Sequence, residues 1–117
     1  LPGTSDLLCE CSAETSGGGS IADPSGLRLV WQDDFDGNAV DRSKWDFVHG
    51  GGGFGNQELQ YYSQNNAVVQ GGVLRITAKC QDYHGERFTS AKLSTSHLAE
   101  WGPGHRVEVR ARMPGGK

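Results

Sequence analysis

The sequence predicts an all-β protein, and three observations carry that prediction. Glycine supplies 18 of the 117 residues, about twice the ordinary share, which favours many turns and short strands. No ten-residue segment shows a 3.6-residue hydrophobic period. Apolar and polar residues instead alternate in short runs bounded by Gly and Pro, the pattern of half-buried strands.

Residues 1–26 read as a Ser/Gly-rich linker or N-terminal extension: Ser, Gly, Thr and Ala dominate 12–20, and Asp23-Pro24-Ser25-Gly26 is a turn signal. From Leu27 the texture changes. Leu27, Leu29 and Trp31 alternate with Arg28 and Gln32 as in a strand, which the acidic turn Asp33-Asp34-Phe35-Asp36-Gly37 ends. One helical turn is expected within 40–45, capped by Asp41 or Ser43. Residues 67–70 and 73–79 flank Gly71-Gly72, a hairpin signal. A further strand is expected over 88–95, with Thr89, Ala91 and Leu93 on one face and Ser90, Lys92 and Ser94 on the other. In 106–113 every apolar residue alternates with a charged one until Pro114-Gly115-Gly116 breaks the run. Strands of this length and spacing suggest a sandwich or barrel. About five strands are too few for two packed sheets, so residues 27–117 read as the front part of a larger β domain.

Composition excludes several function classes. A net charge of −3 with scattered Lys and Arg gives no basic patch for nucleic acid or an anionic membrane surface. No apolar run approaches the roughly 20 residues of a membrane helix. The chain starts without Met and without a signal-peptide pattern, as a mature or excised piece would. Its three cysteines are Cys9, Cys11 and Cys80. A bridge across the single residue Glu10 would be strained, which leaves Cys80 with Cys9 or Cys11, or with a cysteine outside this chain. Cys-x-Cys is a poor match to zinc-ligand spacing.

The densest chemistry lies in Gly55-Asn56-Gln57-Glu58-Leu59-Gln60-Tyr61-Tyr62, after the glycine run 50–53. Amides and a carboxylate offer paired hydrogen bonds to sugar hydroxyls, and aromatic rings offer flat faces to the C–H side of a pyranose. The bland alternative is a surface loop whose tyrosines cap a sheet edge. Arg106, Glu108, Arg110 and Arg112 share one face of the last run. That face is either solvated, an ion-pair ladder, or a cleft wall where a guanidinium fork binds two hydroxyls. Trp101, in a Gly/Pro turn, is a core plug or a stacking platform, whereas Trp31 and Trp45 read as core. The cluster Asp33-Asp34-Asp36 suits turn chemistry or a Ca²⁺ site. His49, His84, His97 and His105 have no ligand spacing, and no phosphate loop or Ser/His/Asp arrangement is present. The residues show a binding surface and no catalytic pair.

The ordered series of Leu29-Val30-Trp31-Gln32-Asp33-Asp34-Phe35-Asp36-Gly37, Trp45, the 55–62 segment, Gly71-Gly72-Val73-Leu74-Arg75-Ile76-Thr77-Ala78, Thr89-Ser90-Ala91-Lys92 and Val107-Glu108-Val109-Arg110-Ala111-Arg112-Met113-Pro114 resembles the opening of glycoside hydrolase family 16, in its laminarinase-like branch. The resemblance covers about residues 27–117. It implies an antiparallel β-sandwich of jelly-roll type, incomplete in this chain, whose concave face holds β-glucan. It implies a retaining endo-β-1,3-glucanase acting on β-1,3- or β-1,3-1,4-glucan, or a non-catalytic β-1,3-glucan recognition protein of the same fold. The family's two glutamates stand in a Glu-x-Asp-x-x-Glu pattern, which this sequence does not contain; they are expected beyond Lys117. By the same resemblance Asn56 and Arg110 match sugar-binding positions, Glu58 and Gln60 brace that loop or edge the cleft, and Trp101 joins the substrate-binding set. Asp34 stands where many members have Glu, near a structural Ca²⁺ site to which the Gly72 carbonyl also contributes; the shorter Asp side chain weakens that match. No cofactor is required for the reaction. A secreted protein, monomeric when complete, with a β-glucan polysaccharide as its partner is the expectation.

Overall fold

In a computed structural model the described residues are 11–16, by their backbone, and 26–115. Eight strands follow in order: β1 (Cys11–Ser16), β2 (Asp46–Val48), β3 (Gln60–Tyr62), β4 (Ala67–Gln70), β5 (Val73–Tyr83), β6 (Glu86–Ser90), β7 (Lys92–Ser94) and β8 (Ala111–Arg112). Short 3₁₀ turns at Gly53–Gly55 and Gln64–Asn66 are the helical elements among the described residues. The all-β expectation holds, and the strands divide between two sheets. One runs β3-β6-β5-β1-β8 with β4 also on β5, and the other pairs β2 with β7.

The β4–β5 hairpin forms where Gly71-Gly72 signalled it. Gln70 faces Val73 and Val69 faces Leu74. The two glycines take φ of 63° and 80°, the left-handed pair of a type I′ turn, whose twist matches that of the strands. Val69, Leu74 and Phe35 are buried together, and Val40, Trp45, Ala67, Ile76 and Leu93 pack around them. Leu93 belongs to β7, so this cluster joins the two sheets. The alternation expected over 88–95 is real: Thr89 and Ala91 are buried while Lys92 is exposed. The single strand expected there is in fact two. Around Ala91 the chain leaves β5 and takes up β2, with Phe47 opposite Leu93.

A buried polar network fixes the junction of β3 and β4. Asn66 and Thr89 are 4% and 1% exposed. The Asn66 side-chain amide donates to the Thr77 carbonyl (2.8 Å) and the Thr89 hydroxyl oxygen (2.9 Å), and that hydroxyl donates to Gln81 Oε1 (2.9 Å). The Ser63 N–H donates to the Ser90 carbonyl at 2.8 Å, extending the parallel pairing of β3 with β6. That parallel pair departs from an all-antiparallel sandwich. The turn at 41–45 also forms as expected, with Asp41 as its cap: its carbonyl accepts from the Lys44 and Trp45 N–H groups, both at 3.0 Å. Its carboxylate accepts from the Ser43 hydroxyl (2.6 Å) and N–H (2.9 Å).

Four expectations are corrected. Residues 11–16, inside the segment read as linker, pair antiparallel with β5, Cys11 opposite Ala78 and Ser16 opposite Val73. A Ser/Thr-rich segment can lie on a sheet because backbone groups make the ladder. Residues 27–31 form no strand, and Leu29 and Val30 are 64% and 57% exposed. Of 106–113 only Ala111–Arg112 is a strand, opposite Thr15 and Glu14, and Val107, Val109 and Met113 are over 70% exposed. Both runs have strand patterning, but alternation becomes a strand only beside a partner that completes the ladder. Finally, β5 continues past Lys79 to Tyr83, so Cys80 sits within the strand and not at its end. Cys80 is disulfide-bonded; whether its partner is Cys9 or Cys11 lies outside the described residues.

Two outcomes follow. The described residues bury four hydrophobic side chains while ten large ones stay more than 40% exposed, too little burial to offset a conformational entropy of about 1–2 kcal/mol per residue. Residues 1–117 expressed alone are expected to aggregate or to unfold over a broad denaturant range, and a sharp monomeric transition would contradict this. At Asp41 the hydrogen bonds from the Ser43 side chain and then its N–H, helped by the charge of Lys44, hold the carboxyl below its ordinary pKa. Because the folded value is the lower one, the stabilisation is present above the unfolded pKa and lost as pH falls through the folded pKa. Ser43→Ala is expected to raise the Asp41 pKa in an NMR titration of the full-length protein.

Candidate functional site

The glycine-rich loop leads into β3 and carries three of the residues singled out in the sequence. It is pinned at its root by a two-way bridge: the Gly50 N–H donates to the Tyr62 carbonyl (3.3 Å) and the Tyr62 N–H to the Gly50 carbonyl (2.8 Å). At its crest the Gly53 carbonyl accepts from the N–H groups of Asn56 (2.8 Å) and Glu58 (3.2 Å). This folding places Asn56 at the exit of the first 3₁₀ turn, exposed, with its side-chain amide unengaged among the described residues. Glu58 and Gln60 meet directly: Gln60 Nε2 donates to Glu58 Oε2 at 3.2 Å. An amide donor to an ionised oxygen orients the carboxylate without taking up its other lone pairs.

The two tyrosines do not form one platform. Successive side chains on a strand point to opposite faces. Tyr62 meets Phe54 at 5.2 Å between ring centroids, with the Lys92 ammonium within 6.0 Å of both rings. Tyr61 packs instead on Tyr83 (5.0 Å) and His84 (5.1 Å) at the β5–β6 tip. Lys92, Tyr83 and His84 lie outside the expected site, since their sequence distance from Tyr61 and Tyr62 gives no local signal. An open hollow of about 370 Å³ lies across β3, β5 and β6, lined by residues that include Leu59, Gln60, Tyr62, Ala78 and Phe88. Gln60 is opposite Phe88 and Phe88 opposite Cys80, so Gln60 shares its sheet face with Ala78, Ile76 and the buried Leu74. The hollow therefore continues the apolar face of the core.

Trp101 and Arg110 lie apart from this loop in sequence and in their contacts. Trp101 is half-buried and meets Trp31 edge-on at 5.1 Å, and Trp31 meets Trp45 at 5.5 Å. Asp33 anchors that cluster through Trp45 Nε1, which donates to its Oδ2 at 2.6 Å, and through the Phe35 N–H, which donates to Oδ1 at 2.9 Å. The structure thus joins three tryptophans that were read one by one. Arg110 is exposed and unpaired among the described residues. Its neighbours Arg106 and Glu108 form the ion pair of the ladder reading, Nε to Oε1 3.1 Å, with the Arg106 side chain about half and the Glu108 side chain mostly exposed.

The calcium expectation can be weighed against the donors present. Asp34 and the Gly72 carbonyl offer two sources of oxygen, whereas Ca²⁺ takes roughly six to eight ligands. Both oxygens of the adjacent Asp33 already accept hydrogen bonds. No group of three or more His, Cys, Asp or Glu among the described residues is arranged to hold a metal. Asp34 and the Gly72 carbonyl are the two donors that the resemblance places in this chain, and a structural Ca²⁺ there is a proposal that rests on it.

No family model matches the chain. The chain is 50% identical over 93 residues to a protein named beta-glucanase from Rhodothermus marinus, covering 76% of this chain and 32% of that protein. It is 46% identical to the clotting factor G alpha subunit of Tachypleus tridentatus, over 74% of this chain and 13% of that one. The X-ray structure of the Rhodothermus marinus laminarinase superposes with a TM-score of 0.59 at 51% identity, covering 62% of this chain and 31% of that one. A non-specific endo-β-1,3(4)-glucanase from family GH16, crystallised with a glucan oligosaccharide, superposes with a TM-score of 0.54 at 32% identity over 74% of this chain and 38% of that one. The chain thus spans about a third of the length of the glucanases it matches.

The aromatic cluster yields a direct expectation. Trp101→Ala in the full-length protein removes an edge-to-face contact of about 0.5–1.5 kcal/mol in addition to buried area, so it should lower the denaturation midpoint. An unchanged midpoint with weakened sugar binding would instead make Trp101 a stacking platform.

Proposed function

Because this chain belongs to glycoside hydrolase family 16, in its laminarinase-like branch, we propose that it is the β-glucan-binding part of a retaining endo-β-1,3-glucanase acting on β-1,3- or β-1,3-1,4-linked glucan. The observation that supports a binding role is the pairing of Glu58 with Gln60 at 3.2 Å beside the exposed amide of Asn56. Retaining cleavage needs two carboxyl groups roughly 5–5.5 Å apart, one of them a proton donor. Glu58 has an amide and no second carboxyl group as its hydrogen-bonding neighbour among the described residues, which supports reading this loop as one that holds sugar. Asn56 presents both donor and acceptor atoms to hydroxyl pairs, and the Arg110 guanidinium presents a planar fork.

On this reading the cleaving glutamates are supplied by other residues of the full-length protein, which acts as a secreted monomer. The disulfide at Cys80 supports secretion, since disulfides persist mainly in oxidising compartments. A second reading has its own support. The relative at 46% identity is named for clotting, not for hydrolysis, which favours a non-catalytic glucan recognition protein of the same fold. Release of reducing sugar from laminarin by the full-length protein decides between them: release supports the enzyme, and tight binding without release supports the recognition protein.

The binding role is tested by substitution. Losing the charged hydrogen-bond partner at Arg110 costs about 1.5–3 kcal/mol, or roughly 10- to 150-fold, and losing the neutral one at Asn56 about 0.5–1.5 kcal/mol, or roughly two- to thirteenfold. Laminarin titration of Arg110→Ala and Asn56→Ala should show losses of that order. Wild-type affinity in correctly folded variants would remove both residues from the site.

A further inference from the structure

Resting on the reading of Asn56 as a sugar ligand, the geometry points to Glu86 as a positioning residue that sets glucan affinity through the glycine-rich loop without itself touching sugar. Between its Gly50 root and its crest the loop is in no strand, and Phe54 and Gln57 hold left-handed φ of 48° and 55°. Such a segment keeps one shape only if neighbours impose it. Glu86 supplies an outside tie from 34 residues away: its Oε1 accepts from the Gly52 N–H at 3.1 Å. An ionised acceptor makes this the stronger class of hydrogen bond.

Two further features show that this contact is built into the fold. A Cβ on Gly51 would lie 2.9 Å from Glu86 Cγ and 3.0 Å from Tyr61 Cδ2, so the loop approaches β6 as closely as only glycine allows. Glu86 is itself seated by the β5–β6 tip, where Tyr83 and His84 pack on each other at 4.3 Å and both on Tyr61. The tip thus clamps one face of β3 and, through Glu86, the middle of the loop. Gly53 and Asn56 follow directly, joined by their own 2.8 Å hydrogen bond. Removing the tie lets the Asn56 amide sample positions that do not meet the sugar, which lowers affinity by the fraction of time it is misplaced.

The test uses the full-length protein with Glu86→Ala and Glu86→Gln, and laminarin as the probe. Glu86→Ala is expected to speed amide hydrogen exchange at Gly52 and to weaken laminarin binding about three- to tenfold. Glu86→Gln keeps a side-chain carbonyl acceptor and should recover most of both. In an Asn56→Ala background Glu86→Ala should weaken binding no further, because the group it positions is gone. Unchanged Gly52 exchange in Glu86→Ala, or a loss that simply adds to that of Asn56→Ala, overturns the proposal. A silent Asn56→Ala overturns the sugar-ligand reading and this proposal together. Unchanged exchange with Asn56→Ala still damaging overturns this proposal alone.

Discussion

The side-chain amide of Asn66 is the contact on which the geometry around the loop depends. It reaches the Thr77 carbonyl on β5 and the Thr89 hydroxyl on β6 from a turn that separates β3 from β4. Three parts of the chain distant in sequence are thereby held at hydrogen-bond distance inside an almost water-free site. An unsatisfied buried polar group costs about 1–3 kcal/mol. Each partner therefore excludes arrangements in which another moves away, and a polar cluster can specify register where an apolar one would tolerate sliding. Parallel pairing of β3 with β6 needs this help, since a three-residue strand brings few ladder bonds of its own.

From that junction the position of the glycine-rich loop follows. With β3 fixed beside β6, Tyr62 holds Gly50 and faces Phe54, while Tyr61 receives the β5–β6 tip. The loop is thus fastened from both faces of one short strand. Its polar groups, Asn56 and the Glu58–Gln60 pair, are displayed by backbone that glycines bend and that rings and the Glu86 carboxylate restrain. This division of labour suits the proposed binding loop on a sheet scaffold, bent by glycines and held at a few defined points.

The exposed segments have one cause. Leu29, Val30, Val107, Val109 and Met113 are apolar, belong to strand-like patterns, and are more than half exposed. A sheet face that alternates apolar and polar residues is built to be covered, and a strand that alternates is built to be paired. The matched part of this chain covers about a third of the glucanases it resembles.

Much of this was legible along the chain because its physical cause is local. The β4–β5 hairpin follows from two glycines that accept left-handed φ, the Asp41 turn from a carboxylate within reach of its own backbone, and the buried Thr89 and Ala91 from a period of two. The family was legible because several such local motifs recur in one order. Tertiary structure alone decided the rest. Whether 27–31 and 106–113 become strands depends on a partner, which no alternation can supply. That residues 11–16 join the sheet depends on their backbone groups finding an unpaired side of β5, and composition is silent on that. The division of Tyr61 from Tyr62, the meeting of three tryptophans, and the reach of Glu86 to Gly52 across 34 residues are contacts between distant segments. Their energies depend on where the chain returns, and that is settled only when the whole set of buried polar and apolar groups is satisfied at once.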